Sequence, residues 1–100
     1  MKINLSGHHI EITESLQAFV EDKMSKLERH FDGIVASTVT LTVVKDRMTA
    51  EAVVAISGPD LHASAEGDDM YAAIDQMVEK LIRQVQKHKE KLVARKQGQN

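Results

Sequence analysis

The chain has 100 residues, of which 42% are hydrophobic and 28% are charged. These proportions fit one globular domain and exclude an intrinsically disordered chain. Cysteine is absent, which excludes disulfide bonds, thiolate nucleophiles and sulfur-based zinc sites. No apolar run approaches the roughly 18 residues of a membrane span, and residues 1–5 alternate instead of forming a signal-peptide core. We therefore expect a cytoplasmic protein with no membrane partner.

The first third of the chain predicts a short strand and a helix. Ile3 and Leu5 alternate with polar neighbours as far as Ser6-Gly7, where we expect a turn. Thr13 is the predicted N-cap of the first helix, because apolar residues then recur at three- and four-residue spacing until Gly33 ends the pattern.

The remaining residues predict three strands and a long helix. Residues 35–44 and the run ending at Ile56 alternate with period two and are rich in β-branched side chains, which predicts two antiparallel strands. A fourth strand is predicted from Leu61 to Ala65. The second helix begins at the capping pair Asp68-Asp69 and contains no internal Gly or Pro before Lys96.

The order β-α-β-β-β-α predicts an α+β fold. We expect a two-layer sandwich in which both helices pack on one face of a four-stranded sheet, because each later strand has a single apolar face. Residues 1–96 form the single predicted domain, and residues 97–100 a short disordered tail.

Charge is distributed unevenly along the chain. Residues 1–79 contain six Lys or Arg against fourteen Asp or Glu, a net charge of −8, whereas residues 80–100 contain seven against one, a net charge of +6. This asymmetry indicates a polyanionic partner such as nucleic acid. The aromatic residues Phe19, Phe31 and Tyr71 are too few to form the stacking platforms of single-strand binders. Contacts with nucleic acid should therefore be made to phosphates.

Basic side chains line one edge of each predicted helix when residues are spaced about 100° apart around its axis. The candidate RNA-binding residues are Lys23, Lys26 and His30 on the first helix and Lys80, Arg83, Lys87 and Lys91 on the second. If the helices pack with these edges facing, the residues border one groove that attracts phosphates. The sequence alone does not decide the facing, and a merely solvated helix face is the alternative.

Other candidate sites are weaker. His8-His9 has no third ligand at metal-binding spacing, so we predict no metal site. Asp69 or Asp75 could serve a small hydrolase, but Asp at the start of a helix is more often a cap. Serine-nucleophile and phosphate-loop motifs are missing from the sequence. We expect no enzymatic activity, no cofactor and no small-molecule substrate.

Three segments resemble one protein family. They are His62-Ala-Ser-Ala-Glu-Gly-Asp-Asp-Met-Tyr-Ala-Ala-Ile-Asp75, Glu11-Ile-Thr-Glu14 and Lys87-His-Lys-Glu-Lys91. Together they closely resemble the short form of bacterial ribosome hibernation promoting factors, which belong with ribosome-associated inhibitor A and the sigma-54 modulation proteins. The resemblance covers nearly the whole chain, and it implies a fold related to double-stranded RNA-binding domains.

The resemblance also implies a function in stationary phase. Members of this family bind the small ribosomal subunit and its ribosomal RNA at the decoding region, where they block messenger and transfer RNA and inhibit translation. The short form promotes ribosome dimerisation together with ribosome modulation factor, and we expect a monomer off the ribosome. The resemblance implies phosphate contacts by the basic helix residues, with Lys80 fitting the same stripe and His30 replacing a common aromatic residue.

Two alternatives remain at this point. Ribosome-associated inhibitor A shares the fold and the binding region but opposes dimerisation and has a longer C-terminal tail. The four residues that follow Lys96 therefore favour dimer promotion. In the second alternative, the protein is an adaptor that recruits a partner protein through an exposed sheet edge, and its basic stripe serves only solubility.

Overall fold

The computed structural model describes the backbone of residues 1–97 and the side chains of residues 1–90. Its elements are β1 (Lys2–His8), α1 (Glu14–His30), β2 (Ile34–Val44), β3 (Arg47–Ile56), β4 (Leu61–Gly67) and α2 (Met70–Gln97). This arrangement confirms the α+β prediction and the order β-α-β-β-β-α. Gln97 belongs to α2, whereas the rest of the predicted disordered tail, residues 98–100, lies outside the described residues.

The four strands form one sheet in the order β1-β2-β3-β4. β1 runs parallel to β2, with Leu5 opposite Val39. β3 pairs antiparallel with both β2 and β4, so that Ala50 lies between Leu41 and Ala65. The parallel pair requires a crossover connection, and α1 supplies it. β1 and β4 are consequently the two edges of the sheet.

Both helices cover the same face of this sheet. Alternate residues of the three later strands, such as Val39, Ala52 and Val54, are buried beneath the helices, whereas Thr38 on the other face is exposed. The largest fully buried apolar side chains are Met24, Leu27, Leu41, Ile74, Met77 and Leu81. The core thus combines residues from both helices and the sheet, which confirms the predicted two-layer sandwich.

β1 is longer than predicted, because Ser6-Gly7 does not form a turn. Gly7 remains in the strand opposite Leu41. The chain reverses beyond it at His9, where φ is +61°. A side chain at Gly7 would place its Cβ 2.7 Å from the Ile10 carbonyl oxygen. Glycine is therefore needed here for close approach of the returning chain.

Thr13 caps α1 as predicted, but the helix ends before Gly33. The Thr13 hydroxyl accepts a hydrogen bond from the Leu16 amide at 3.2 Å. The last helical residue is His30, and Phe31 is already extended with φ −158° and ψ +121°. A Cβ on Gly33 would lie 2.6 Å from Phe31 Cζ. Gly33 accordingly makes room for the aromatic ring that follows the helix.

Candidate nucleic-acid interface

The two helices run in the same direction across the sheet and contact each other near both ends of α1. The rings of Phe19 and Tyr71 meet edge to face with centroids 4.9 Å apart. The rings of Phe31 and His88 do the same at 5.5 Å. All three aromatic residues of the chain thus contribute to contacts with the neighbouring helix. Phe19 and Tyr71 connect α1 with α2, and Phe31, which follows α1, contacts His88 of α2.

Lys23 lies between the helices and is paired with a carboxylate. Its Nζ is 3.0 Å from Asp75 Oδ1, and its side chain is only 18% exposed. The same ammonium lies 5.3 Å from the centroid of the Phe19 ring. The hydrogen bond to Asp75 raises the pKa of Lys23 above its ordinary value. Lys23 therefore connects the helices, and its charge is partly neutralised within the protein.

His30 contacts α2 through its backbone. Lys89 Nζ donates a hydrogen bond to the His30 carbonyl oxygen at 2.6 Å, while the His30 residue itself is exposed. A lysine at this point complements the negative end of the α1 dipole. The sequence did not predict a role for Lys89, because this residue lies on the side of α2 away from the basic stripe. The only sequence feature that points to it is its positive charge, two residues after Lys87.

Lys80 and its neighbour on α2 contact β4 and not α1. Lys80 Nζ donates to the Ser64 carbonyl oxygen at 2.7 Å. One turn later, Gln84 Nε2 donates to the His62 carbonyl oxygen at 2.6 Å. The basic edge of α2 therefore follows the edge strand of the sheet.

The basic edges of the two helices do not face each other. The edge of α1 that carries Lys23 meets the flank of α2 that carries Asp75, whereas the edge of α2 that carries Lys80 lies over β4. The strand order explains this arrangement, since α2 packs on β3 and β4 and has α1 on its other side. A single groove bordered by all the predicted residues would require the two basic edges to face each other, and they do not.

The residues that remain available for a ligand lie on the solvent side of the helices. Lys26, Arg83 and Lys87 are exposed, and within residues 1–90 none of them forms an ion pair. We call these three residues the outer basic surface. The side chain of Lys91, also predicted to bind RNA, lies outside the described residues.

The acidic candidates have structural partners. Asp69 caps α2, because its Oδ1 accepts from the Tyr71 amide at 3.0 Å and its carbonyl oxygen accepts from the Ala73 amide at 3.0 Å. Asp75 is the partner of Lys23. Among the described side chains, no three His, Asp or Glu residues are grouped as metal ligands. Neither α1 nor α2, as described to Gln97, has an apolar stretch long enough to cross a membrane.

Comparison with known sequences identifies a family over most of the chain. Residues 3–93 match the family model of the Sigma 54 modulation protein / S30EA ribosomal protein. The ribosome hibernation promoting factor of Azotobacter vinelandii is 50% identical over 99 residues, covering 99% of this chain and 92% of the relative. That of Escherichia coli K12 is 50% identical over 92 residues, covering 92% of this chain and 97% of the relative.

Solved structures agree with this match. The N-terminal domain of Protein Y from Thermus thermophilus superposes with a TM-score of 0.83 at 35% identity, covering 88% of this chain and 99% of that domain. A ribosomal subunit interface protein from Coxiella burnetii gives 0.82 at 30% identity, covering 90% of this chain and 99% of that one. Sequence and fold together show that the chain belongs to the Sigma 54 modulation protein / S30EA ribosomal protein family.

Proposed function

We propose that this chain is a ribosome hibernation factor. It binds the small ribosomal subunit at the decoding region and excludes messenger and transfer RNA, which inhibits translation in stationary phase. Together with ribosome modulation factor, it promotes ribosome dimerisation. Relatives that are 50% identical over nearly their whole length are named ribosome hibernation promoting factor, and this supports the proposal most directly.

The outer basic surface supports binding to RNA phosphates. Its three cations project into solvent without ion-pair partners among residues 1–90. The aromatic rings are occupied by contacts with each other or with His88, so base stacking contributes little. Affinity therefore comes from phosphate contacts and specificity from the shape of the folded RNA.

The predicted RNA-binding residues contribute unequally in this proposal. Lys26, Arg83 and Lys87 make full phosphate contacts, and Lys91 is expected from the sequence pattern to add another. Lys23 and Lys80 each already donate to a group within the protein. An ammonium has three N–H groups, so these two lysines add charge and secondary contacts. His30 contributes a polar imidazole at the end of α1.

In this proposal, the bound protein excludes messenger and transfer RNA because it fills the space that they would occupy. The sandwich enters the RNA-lined channel as one body, because both helices are fixed to a common core and to each other. While it is bound, the RNA substrates cannot occupy the same space. Since the contacts are mainly ionic, binding must weaken steeply as salt concentration rises.

The decisive experiment compares two charge reversals of equal size. Arg83→Glu/Lys87→Glu alters the outer basic surface, whereas Lys2→Glu/Lys45→Glu alters exposed lysines on β1 and in the β2–β3 turn. Sedimentation with ribosomes should show loss of binding for the first pair only. In the wild type, log K should fall with log salt by about 0.7 to 0.9 per phosphate contact. Binding that is indifferent to salt, or equal loss in both pairs, would contradict the proposal and favour the adaptor.

Competition and dimerisation are tested separately. Messenger RNA with transfer RNA should displace the bound wild-type protein from ribosomes. A single complex containing ribosome, protein, messenger RNA and transfer RNA would exclude occupancy of the decoding region. Ribosome profiles from starved cells should gain a dimer peak when the protein is restored in the presence of ribosome modulation factor. A smaller dimer peak would favour a protein that acts like ribosome-associated inhibitor A.

A further inference from the structure

β4 is an edge strand, and side chains of α2 occupy two of its backbone carbonyl oxygens. In an antiparallel pair, the N–H and C=O of one residue point to the same side, and successive residues alternate. The carbonyl oxygens of His62 and Ser64 accept hydrogen bonds from side chains of α2. The backbone N–H and C=O groups of these two residues therefore point away from β3. Glu66 lies two residues after Ser64, so its backbone N–H and C=O groups point the same way. Lys80 and Gln84 therefore cover two of the three backbone acceptors that another strand would need.

The sequence of β4 is complementary to itself in an antiparallel register centred on Ser64. In that register His62 lies opposite Glu66 of the second strand, so an imidazole meets a carboxylate twice. Within its own chain, Glu66 Oε1 lies 3.0 Å from Arg47 Nε. Ala63 lies opposite Ala65, where small side chains leave the backbones free to approach. The strand contains no proline, which would interrupt such pairing.

We infer that the β4 edge is a pairing surface for β4 of a second copy of this chain, and that Lys80 and Gln84 keep it closed in the monomer. The pairing is antiparallel and two-fold symmetric about Ser64. In this register His62, Ser64 and Glu66 of each copy exchange backbone hydrogen bonds with Glu66, Ser64 and His62 of the other. The residues whose backbone groups point outward are thus the ones that the two-fold symmetry places opposite each other. Sheet edges that lack such cover pair readily with other chains.

The closing contacts compete directly with the partner strand. Lys80 and Gln84 occupy the carbonyl oxygens of Ser64 and His62, and the contact from Lys80 is charge-assisted. A second copy would also bring the basic edge of its own α2 toward the first, since the two-fold axis places both helix layers on the same side. Like charges then oppose the dimer. Lys80 thus has a role in the isolated protein that does not involve RNA.

Removing the closing side chains tests the inference. Lys80→Ala/Gln84→Ala should convert the 11.1 kDa chain into a dimer of twice that mass in sedimentation velocity, at a concentration where the wild type is monomeric. The matched control, Gln86→Ala/Lys87→Ala, removes the same residue types from exposed positions of α2 and should remain monomeric. Adding His62→Glu to the double variant sets Glu against Glu66 twice and should weaken the dimer about tenfold.

Each outcome bears on the inference. A monomeric Lys80→Ala/Gln84→Ala protein with a native circular dichroism spectrum would overturn it, and so would a wild-type dimer, because the edge would not then be closed. Association that is unaffected by His62→Glu would exclude the register centred on Ser64. If the double variant does not fold, the single variants, each of which frees one carbonyl, should still dimerise more strongly than the wild type at raised concentration. Single variants that remain as monomeric as the wild type would equally overturn it.

Discussion

The Lys23 ammonium lies 3.0 Å from the Asp75 carboxylate, and this pair joins the middle of α1 to the beginning of α2. Lys23 is largely covered, whereas Asp75 is 48% exposed. The pair has two consequences: it holds the helices together at this point, and it partly neutralises the charge of one lysine. Loss of the carboxylate should therefore affect stability and RNA binding in opposite directions.

Asp75→Asn tests these opposite effects. We expect a slightly lower Tm, because an ion pair that is half exposed to water contributes little. We also expect ribosome binding to persist to higher salt concentrations, because Lys23 is released and one negative charge is lost. Thermal unfolding measures the change in Tm, and sedimentation with ribosomes at increasing salt concentration measures the change in binding. Glu79→Gln, which removes an exposed carboxylate one turn later, is the control and should leave Tm unchanged.

The stabilising effect of the pair should decline in the alkaline range, where Lys23 loses its proton. Asp75 raises the pKa of Lys23 above 10.5, so the folded state holds this proton more tightly than the unfolded state. The stabilisation is complete below the unfolded pKa of about 10.4 and is lost as pH rises through the folded pKa. The difference in Tm between wild type and Asp75→Asn should be constant from pH 7 to 9 and decline above pH 10.5. A decline between pH 7 and 9 would refute this assignment.

Gly33→Ala should destabilise the end of α1. The new Cβ would lie 2.6 Å from Phe31 Cζ, so the ring must shift, and this disturbs its contact with His88. Such crowding typically costs about 1 to 3 kcal/mol, which chemical denaturation can measure, and the His88 ring signals should move in NMR spectra. Gly67→Ala is the control, since its nearest atoms are 3.9 Å from the added Cβ. An equal loss in both variants would show that the Phe31 contact is not the cause.

Thr13→Ala should weaken the start of α1 by about 1 kcal/mol. The substitution removes the hydroxyl that accepts from the Leu16 amide. Ser15→Ala, an exposed change within the first turn, retains this bond and should have a smaller effect on the free energy of unfolding. If Thr13→Ser fails to restore the stability lost in Thr13→Ala, hydroxyl capping is not the explanation.

The sequence predicted the local structure better than the facing of the helices. Capping by Thr13 and Asp69 was predictable because it depends on residues within one turn. The position of Lys80 over β4 was not, because a helical projection shows which residues share an edge but not what that edge meets. Packing on a particular pair of strands decides the neighbour. The extended state of Ser6-Gly7 likewise depends on pairing with β2, which local turn propensity does not reveal.

The parallel pairing of β1 with β2 has a consequence for the kinetics of folding. β2, β3 and β4 follow one another through short connections, whereas β1 reaches β2 only across the α1 crossover. Local contacts form early and distant ones late, because closing a longer loop costs more entropy. During refolding, amide hydrogens of β1 should therefore gain protection from exchange after those of β2 and β3. During translation β1 is synthesised first, but it stays unpaired until β2 has followed it out of the exit tunnel.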